Sequence, residues 1–470
     1  MRLLSSGSNA RGQLGHGALD DAHVFRECIY QMADCPFELP VGTQIVQVAS
    51  GANHTLVLFS DNTTLPRVWG CGDASSGQLG PVLKEKKGGN SEETVSLRFS
   101  SRTVFQPVHI DLASMGLDGY TCNMLTCAWE STYLVLRSLD RSDALISFGA
   151  NSFGELGVGL SSHPGPHLVA LQGREPTCCP CVSVVRIDSV DAGLHHVIVR
   201  ITERLQNGTR RHRTMGWGVC RHGQLGTIAP PASDSDAQLQ AAARARNSGP
   251  SHINLPCYVF QNSAPPSEEG KENSVVAVAL GSSHSVLCHS SGHLRAFGTN
   301  RKLQIFGVDG VRVPHIACTW NGTYWIGEDG AIHATGSNTH GQLGAGTRHG
   351  LSFSSGELQV SSNMVISTTK MPRRIVAGSE HVLVLLSSNT EKCPADMIHC
   401  FDEGVEVWAW GWNEHGNLGN STTEDALRPV RIWPQAAENG NYAQIADDQG
   451  DNARVRNIWG GQGTSWIAIE

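Results

Sequence analysis

Charge is scarce in this chain. Asp, Glu, Lys and Arg make up 17% of its residues, against about a quarter in an ordinary soluble domain. What charge there is leans negative, 35 basic against 43 acidic residues for a net −8. A general phosphate-binding surface needs clustered Lys and Arg, so direct nucleic-acid binding is not expected. The single basic run, Arg210, Arg211, His212 and Arg213, follows a polar stretch and reads as a solvated hairpin tip. Long apolar runs are also missing. None approaches the ~18 residues that a bilayer-spanning helix needs, so no membrane role is expected. The first repeat signature begins within six residues of Met1, and no signal peptide is expected there.

Catalytic and metal motifs are missing too. There is no Gly-x-x-x-x-Gly-Lys-Ser/Thr to cradle a phosphate, no Gly-x-Ser-x-Gly elbow and no His-Glu-x-x-His. The 14 cysteines follow no small-domain disulfide framework. Cys71, Cys127, Cys288 and Cys318 fall inside expected strands, which points to reduced thiols in a cytosolic or nuclear protein. Cys178, Cys179 and Cys181 supply one Cys-x-x-Cys, but a zinc site would want a second pair and none follows. No enzyme activity, metal or cofactor is expected.

Glycine, by contrast, is abundant at 52 residues, and most of it belongs to a repeat. Gly-x-Asn-x-x-Gly-Gln-Leu-Gly recurs as GSNARGQLG from Gly7, GDASSGQLG from Gly72 and GANSFGELG from Gly149. It continues as GVCRHGQLG from Gly218, GSNTHGQLG from Gly336 and GWNEHGNLG from Gly411. A decayed copy, GTNRKLQIF, starts at Gly298, with Leu303 and Phe306 in place of glycines. A second signature alternates with the first: Gly-x-x-His followed by a β-rich apolar run. Its clear copies contain His54, His196, His284 and His381. Three more, CAWESTYLVL, CTWNGTYWI and GGQGTSWIAI, carry Thr132, Thr323 and Thr464 where the others carry His.

Short β-rich runs bounded by turn glycines, in seven copies, describe a blade that cannot bury both faces alone. Stacking such units in a ring buries them and leaves few edges. The expected fold is all-β, a single seven-bladed propeller over residues 1–470. The run from Arg2 to Gly7 lacks an upstream partner and that from Ser465 to Glu470 a downstream one, so pairing them closes the ring. The repeated His or Thr is expected to satisfy buried backbone groups, not to do chemistry. Copies of the first signature start 65, 77, 69, 80, 38 and 75 residues apart, as the repeat positions above give, so most blades carry insertions beyond the ~50 residues of a repeat blade. The largest, 227–274, reads as a mobile loop with a short helix from Asp236 to Arg246; 84–94 reads similarly.

Eight of the 11 tryptophans lie between Trp320 and Trp466. Trp408 and Trp410 occupy strand positions, whereas Trp129, Trp320 and Trp412 sit beside turn glycines where loops reach a rim. Tryptophan is enriched at binding hot spots. Candidate partner contacts are therefore Trp129, Trp320, Trp412 and Trp466, with Glu380, His381, Glu414 and His415 beside them.

These repeats resemble the regulator-of-chromosome-condensation propellers over nearly the whole chain. Four segments, WAWGWNEHGNLG from Trp408, GSEH from Gly378, CTW from Cys318 and GGQGTSW from Gly460, resemble one fungal branch, the α-tubulin suppressors or killer-toxin-insensitivity proteins. That resemblance implies a cofactor-free regulator, monomeric or in a heterodimer with a small zinc-ribbon electron carrier. It implies a role in diphthamide synthesis on elongation factor 2 and in Elongator-dependent modification of tRNA wobble uridine, in cytoplasm and nucleus. The long insertions depart from that branch. The superfamily also suggests a nucleotide exchange factor for a small GTPase, disfavoured by the repeat starting at residue 2, and a ubiquitin-ligase adaptor. A tryptophan-based light sensor would need stacked indoles from adjacent blades, whereas Trp129 and Trp320 belong to blades that are not neighbours.

Overall fold

The second signature ends in an unbroken apolar run because its strand has a blade packed on each side. In the computed structural model every residue of His54–Phe59, His284–His289, His381–Ser387 and Thr464–Ile469 is buried. The structure describes residues 1–33, 35–60, 65–81, 101–161, 163, 165–171, 182–226, 251–260, 274–311, 313, 315–348, 353–354, 357–358, 370–388, 405–434 and 454–470. Among these no helix is long and apolar enough to cross a membrane.

Seven antiparallel sheets form the ring. Blade one joins Val455–Gly460, Thr464–Ile469, Arg2–Gly7 and Ala22–Glu27; blade two is Ile45–Ser50, His54–Phe59, Val68–Gly72 and Arg102–Pro107. Blade three is Thr121–Cys127, Ser131–Arg137, Ala144–Gly149 and His167–Val169; blade four is Val182–Ala192, His196–Leu205, Arg210–Val219 and His252–Tyr258. Among the described residues blades five (Val275–Leu280, His284–His289, Leu294–Gly298) and six (His315–Thr319, Gly322–Ile326, Ile332–Gly336) have three strands. Blade seven is Met371–Ala377, His381–Ser387, Glu406–Gly411 and Ala426–Trp433. The two chain ends pair as expected, from Arg2↔Ile469 to Gly7↔Thr464.

One expectation needs correction and a second holds in part. The span 227–274 is not one loop, because His252–Tyr258 pairs with Arg210–Val219 as the outer strand of blade four. Val259 and Phe260 just after it are buried, and 227–250, which holds the expected helix, and 261–273 lie outside the described residues, as do 84–94 and Cys178 to Cys181. The basic run does start at a hairpin tip, with Arg210 and His212 exposed, but it is only half solvated: it begins a ten-residue strand, and Arg211 and Arg213 reach the buried Glu203 at 2.7 and 3.9 Å.

The first glycine of each turn closes the third strand with φ between 91° and 126°. A side chain there would collide with the carbonyl preceding the second strand: at Gly7 a Cβ would lie 2.2 Å from the Gly463 oxygen. Only glycine accepts both the conformation and the approach. The decayed copy keeps the turn at a cost, since Leu303 takes φ 63° where the other copies have glycine.

The turn that follows offers one backbone carbonyl to the next blade at every junction. Thr55 Oγ1 donates to Gln13 O at 2.8 Å, Thr132 Oγ1 to Gln78 O at 2.7 Å, Ser285 Oγ to Gln224 O at 2.7 Å and Thr323 Oγ1 to Gln304 O at 2.6 Å. In blades four and seven that hydroxyl position is Val197 or Val382, and the residue paired with it across the sheet, Trp217 or Trp410, substitutes an indole N–H. These reach Glu155 O at 2.5 Å and Gln342 O at 2.7 Å. Ser6 Oγ serves Asn417 O at 3.4 Å in blade one.

The repeated histidines complete this network. His54, His196, His284 and His381 place Nε2 3.0, 3.1, 3.2 and 3.1 Å from Thr132, Ser285, Thr323 and Ser465 of the following blade. The first three of these hydroxyls spend their protons on carbonyls, so Nε2–H donates to them, while Nδ1 of His54, His196 and His284 is buried without a hydrogen-bond acceptor to hold a second proton. The histidines thus act on a hydroxyl that acts on the backbone; His381 also lies near a carbonyl, Thr464 O at 3.2 Å, and His284 near that of Gly322. Thr stands in the His position only at Thr464. Register puts Ser131 and Gly322 there in blades three and six, and Thr132 and Thr323 one residue later.

Burial holds these imidazoles down, to about 3 for His54 and His196 and about 4 for His284 and His381. The unfolded chain takes up those protons near pH ~6.5. Their stabilisation is therefore intact above pH 6.5 and is lost as pH falls through 6.5 toward 4, by about 1.4 kcal/mol per unit per histidine. Urea midpoints measured from pH 7 to 4 should drop steeply, and His284→Asn should flatten the slope by about one proton. A flat profile in the parent would contradict the buried neutral histidines.

Candidate protein-binding face

Antiparallel strands put two sets of loops on one face: those between first and second strands, and the glycine turns after third strands. The first set surrounds the axis. There Ala52 N donates to Trp129 O, Trp129 N to Leu194 O, Ser282 N to Trp320 O, Trp320 N to Ser379 O and Ser379 N to Gly461 O, over 2.7–3.2 Å. These backbone bonds tie blades two to four into one arc of the mouth and blades five, six, seven and one into another.

Two of the expected residues meet here. Trp129 of blade three and Trp320 of blade six lie in blades that are not neighbours, yet their rings contact across the axis with centroids 5.8 Å apart. Both are half-buried. Trp320 Nε1 donates to Gln462 Oε1 at 2.7 Å, and a side chain on the adjacent Gly463 would stand 3.4 Å from the Trp412 ring. The half-buried Trp412 therefore continues the same track. Its Nε1 donates to the exposed Glu414 at 3.3 Å, and its ring meets His415 edge-on at 5.3 Å.

The remaining candidates divide. His415 Nδ1 lies 2.7 Å from Asp21 Oδ2, which clasps blade seven to blade one, and His340 Nδ1 likewise lies 3.1 Å from Asp425 between blades six and seven. Glu380 is set back, accepting from Asn321 Nδ2 at 2.7 Å and Gln342 Nε2 at 2.8 Å; burial pushes its carboxyl up. It supports the face more than it contacts a partner. His381 and Trp466 have no exposed surface. His381 belongs to the junction network, and Trp466 packs edge-on against Phe105, so both leave the set of candidate contacts.

Sequence reasoning missed Gln462 and Phe153. Phe153 is 40% exposed and its ring centroid lies 4.6 Å from that of His195, which in turn lies 3.4 Å from Glu155. The signal was available: Phe153 occupies the turn position held by His340 and His415 in their copies. Among the described residues no group of three His, Cys, Asp or Glu could hold a metal ion.

The comparisons bear on this geometry. Residues 2–58 and 406–446 match one family model described as the regulator of chromosome condensation (RCC1) repeat, and 45–78 and 275–304 match a second of the same description. Stretches near both ends and in the middle of this propeller thus match RCC1-repeat models. The chain is 25% identical over 459 residues to a mouse protein named secretion-regulating guanine nucleotide exchange factor, covering 92% of the chain and 78% of that protein. It is 23% identical over 480 residues to an RCC1 repeat-containing protein of Schizosaccharomyces pombe, covering 100% and 99%. The crystal structure of Prp20p from Saccharomyces cerevisiae, a protein studied for binding to Gsp1p and histones, superposes with TM-score 0.60 at 15% identity, covering 100% of this chain and 91% of that one. At that identity the likeness shows the fold.

Within the propeller, Trp410 and Trp412 are two residues apart and differ in role. Trp410 is fully buried and bridges two blades; Trp412 faces the rim. Trp410→Ala should cost about 3–5 kcal/mol in guanidinium unfolding, and Trp412→Ala well under half of that. Equal losses would place Trp412 in the core.

Proposed function

We propose that this propeller is a non-enzymatic docking scaffold whose glycine-turn face, over blades six, seven and one, receives a small zinc-ribbon electron-carrier protein. In this reading it supports diphthamide synthesis on elongation factor 2 and Elongator-dependent modification of tRNA wobble uridine, in cytoplasm and nucleus. The observation that carries the proposal is the convergence of Trp129, Trp320, Gln462, Gly463 and Trp412 into one track. Four segments distant in sequence carried the resemblance to the fungal branch, and residues from all four, Trp320, Glu380, Trp412 and Gln462, gather on this one face.

The physics suits a binding platform. Indoles offer large contact area at low entropic cost, and here they are seated on a mouth tied together by backbone bonds, so little ordering remains to oppose association. Glu414 supplies charge at the edge, where it acts on association rate more than on affinity. Titration calorimetry with a purified zinc-ribbon protein tests this. Trp412→Ala and Trp320→Ala should each weaken binding about thirtyfold, or ~2 kcal/mol, with melting nearly unchanged for Trp412→Ala; Glu414→Ala should change it only a few-fold. No binding by the unaltered protein removes the zinc-ribbon reading.

The mouse relative's name supports a second reading, exchange on a small GTPase. Accelerated release of labelled GDP from a GTPase panel, with no zinc-ribbon binding, would favour it.

A further inference from the structure

The opposite face carries a feature that the docking platform does not use. The second and third strands of blade four, His196–Leu205 and Arg210–Val219, are ten residues each, against five to seven in the other blades, so their hairpin projects beyond the ring. Near its tip Arg204 and Arg210 are directly paired across the two strands. Like charges opposed in a sheet repel. Both side chains are exposed, and among the described residues neither has an ionic partner.

The neighbouring arginines are all committed. On the other side of the hairpin Arg211 and Arg213 share Glu203, and Arg213 also lies over the Tyr258 ring at 4.8 Å. Below, Arg186 binds Asp143 at 2.7 Å and the carbonyls of Ser138 and Arg141, and Arg137 binds Asp143 at 3.2 Å. Among the described residues this cationic pair has no direct acceptor while the arginines beside it each have one, a local conflict that a bound acceptor would relieve.

Arg204 and Arg210 line a cleft of about 630 Å³ between this hairpin and the 138–143 loop of blade three. Leu139, 99% exposed, and Val184 give it an apolar part. Asp140 and Asp188 also line it. Asp140 accepts the Ser138 hydroxyl at 2.7 Å and Asp188 the Thr202 hydroxyl at 2.7 Å. Two fixed carboxylates beside the arginines would repel an extended polyanion such as nucleic acid. They admit a short chain whose negative charge is confined to one point and whose neighbours are neutral and apolar.

We propose that this cleft binds an acidic peptide segment, with adjacent carboxylates on the guanidinium forks of Arg204 and Arg210 and a flanking apolar side chain on Leu139 and Val184. Guanidinium meets carboxylate through two parallel N–H donors, a match that an ammonium does not reproduce.

Fluorescence anisotropy with the full chain tests the proposal, using labelled Gly-Leu-Glu-Glu-Leu-Gly and its Gln-Gln counterpart as probes. The acidic peptide should bind at least tenfold tighter than the amide peptide, and should weaken as salt rises from 50 to 300 mM, about a halving of the screening length. Arg204→Gln with Arg210→Gln should cut binding tenfold or more while melting no lower than the parent, since it removes the repulsion. Arg204→Lys with Arg210→Lys, which keeps charge and fold, should fall between. Arg11→Gln on the opposite face should leave binding unchanged. No binding, equal binding of the two peptides, or full binding by the double Gln variant would overturn the proposal.

Discussion

Everything in this molecule hangs on one backbone carbonyl per blade. The glycine turn leaves the oxygen of its Gln, Glu or Asn pointing at the next blade, away from water, and an unpaired buried carbonyl is costly. Each junction therefore needs a donor from the neighbour. Four junctions use a hydroxyl on the second strand, two an indole N–H on the third, and the closing junction uses Ser6. The histidines follow the same logic. His54, His196, His284 and His381 occur where the next blade has Thr132, Ser285, Thr323 or Ser465, and blades three and six lack His where the next blade has Val197 or Val382. Only the junction from Thr464 to Thr55 breaks this pairing.

Because the junctions set how each blade leans on the next, they also set what the axial loops can reach. The ring brings the first loops of blades three and six close enough for Trp129 to touch Trp320. The seam formed by the chain ends places Gln462 and Gly463 between Trp320 and Trp412. An apolar track on one face thus follows from closure, and the blade-four hairpin projects on the other face.

The fold was legible in the sequence because two signatures in seven copies leave little room for another architecture. The site was legible in part. Trp320 and Trp412 stood out because indoles beside turn glycines lie at a rim. Trp466 and His381 were misplaced because Gly463 and Glu380, three residues and one residue before them, are at the face, while the strands that start at Thr464 and His381 run directly into the core. The contact of Trp129 with Trp320 was hidden because it depends on ring diameter, which no local pattern carries. The outer strand His252–Tyr258 was hidden by the polar and proline-rich residues on both sides of it. Aligning Thr132 and Thr323 with the histidines was wrong by one position, and in a strand one position reverses the face. That shift concealed the donor–acceptor relation between blades.

The most direct test is a single substitution at one junction. Thr132 is fully buried, donates to Gln78 O and accepts from His54 Nε2. Thr132→Val conserves volume and removes both bonds, which should cost about 2–4 kcal/mol in denaturant unfolding with the m-value unchanged. A midpoint indistinguishable from that of the parent would contradict the account of how the ring is held together.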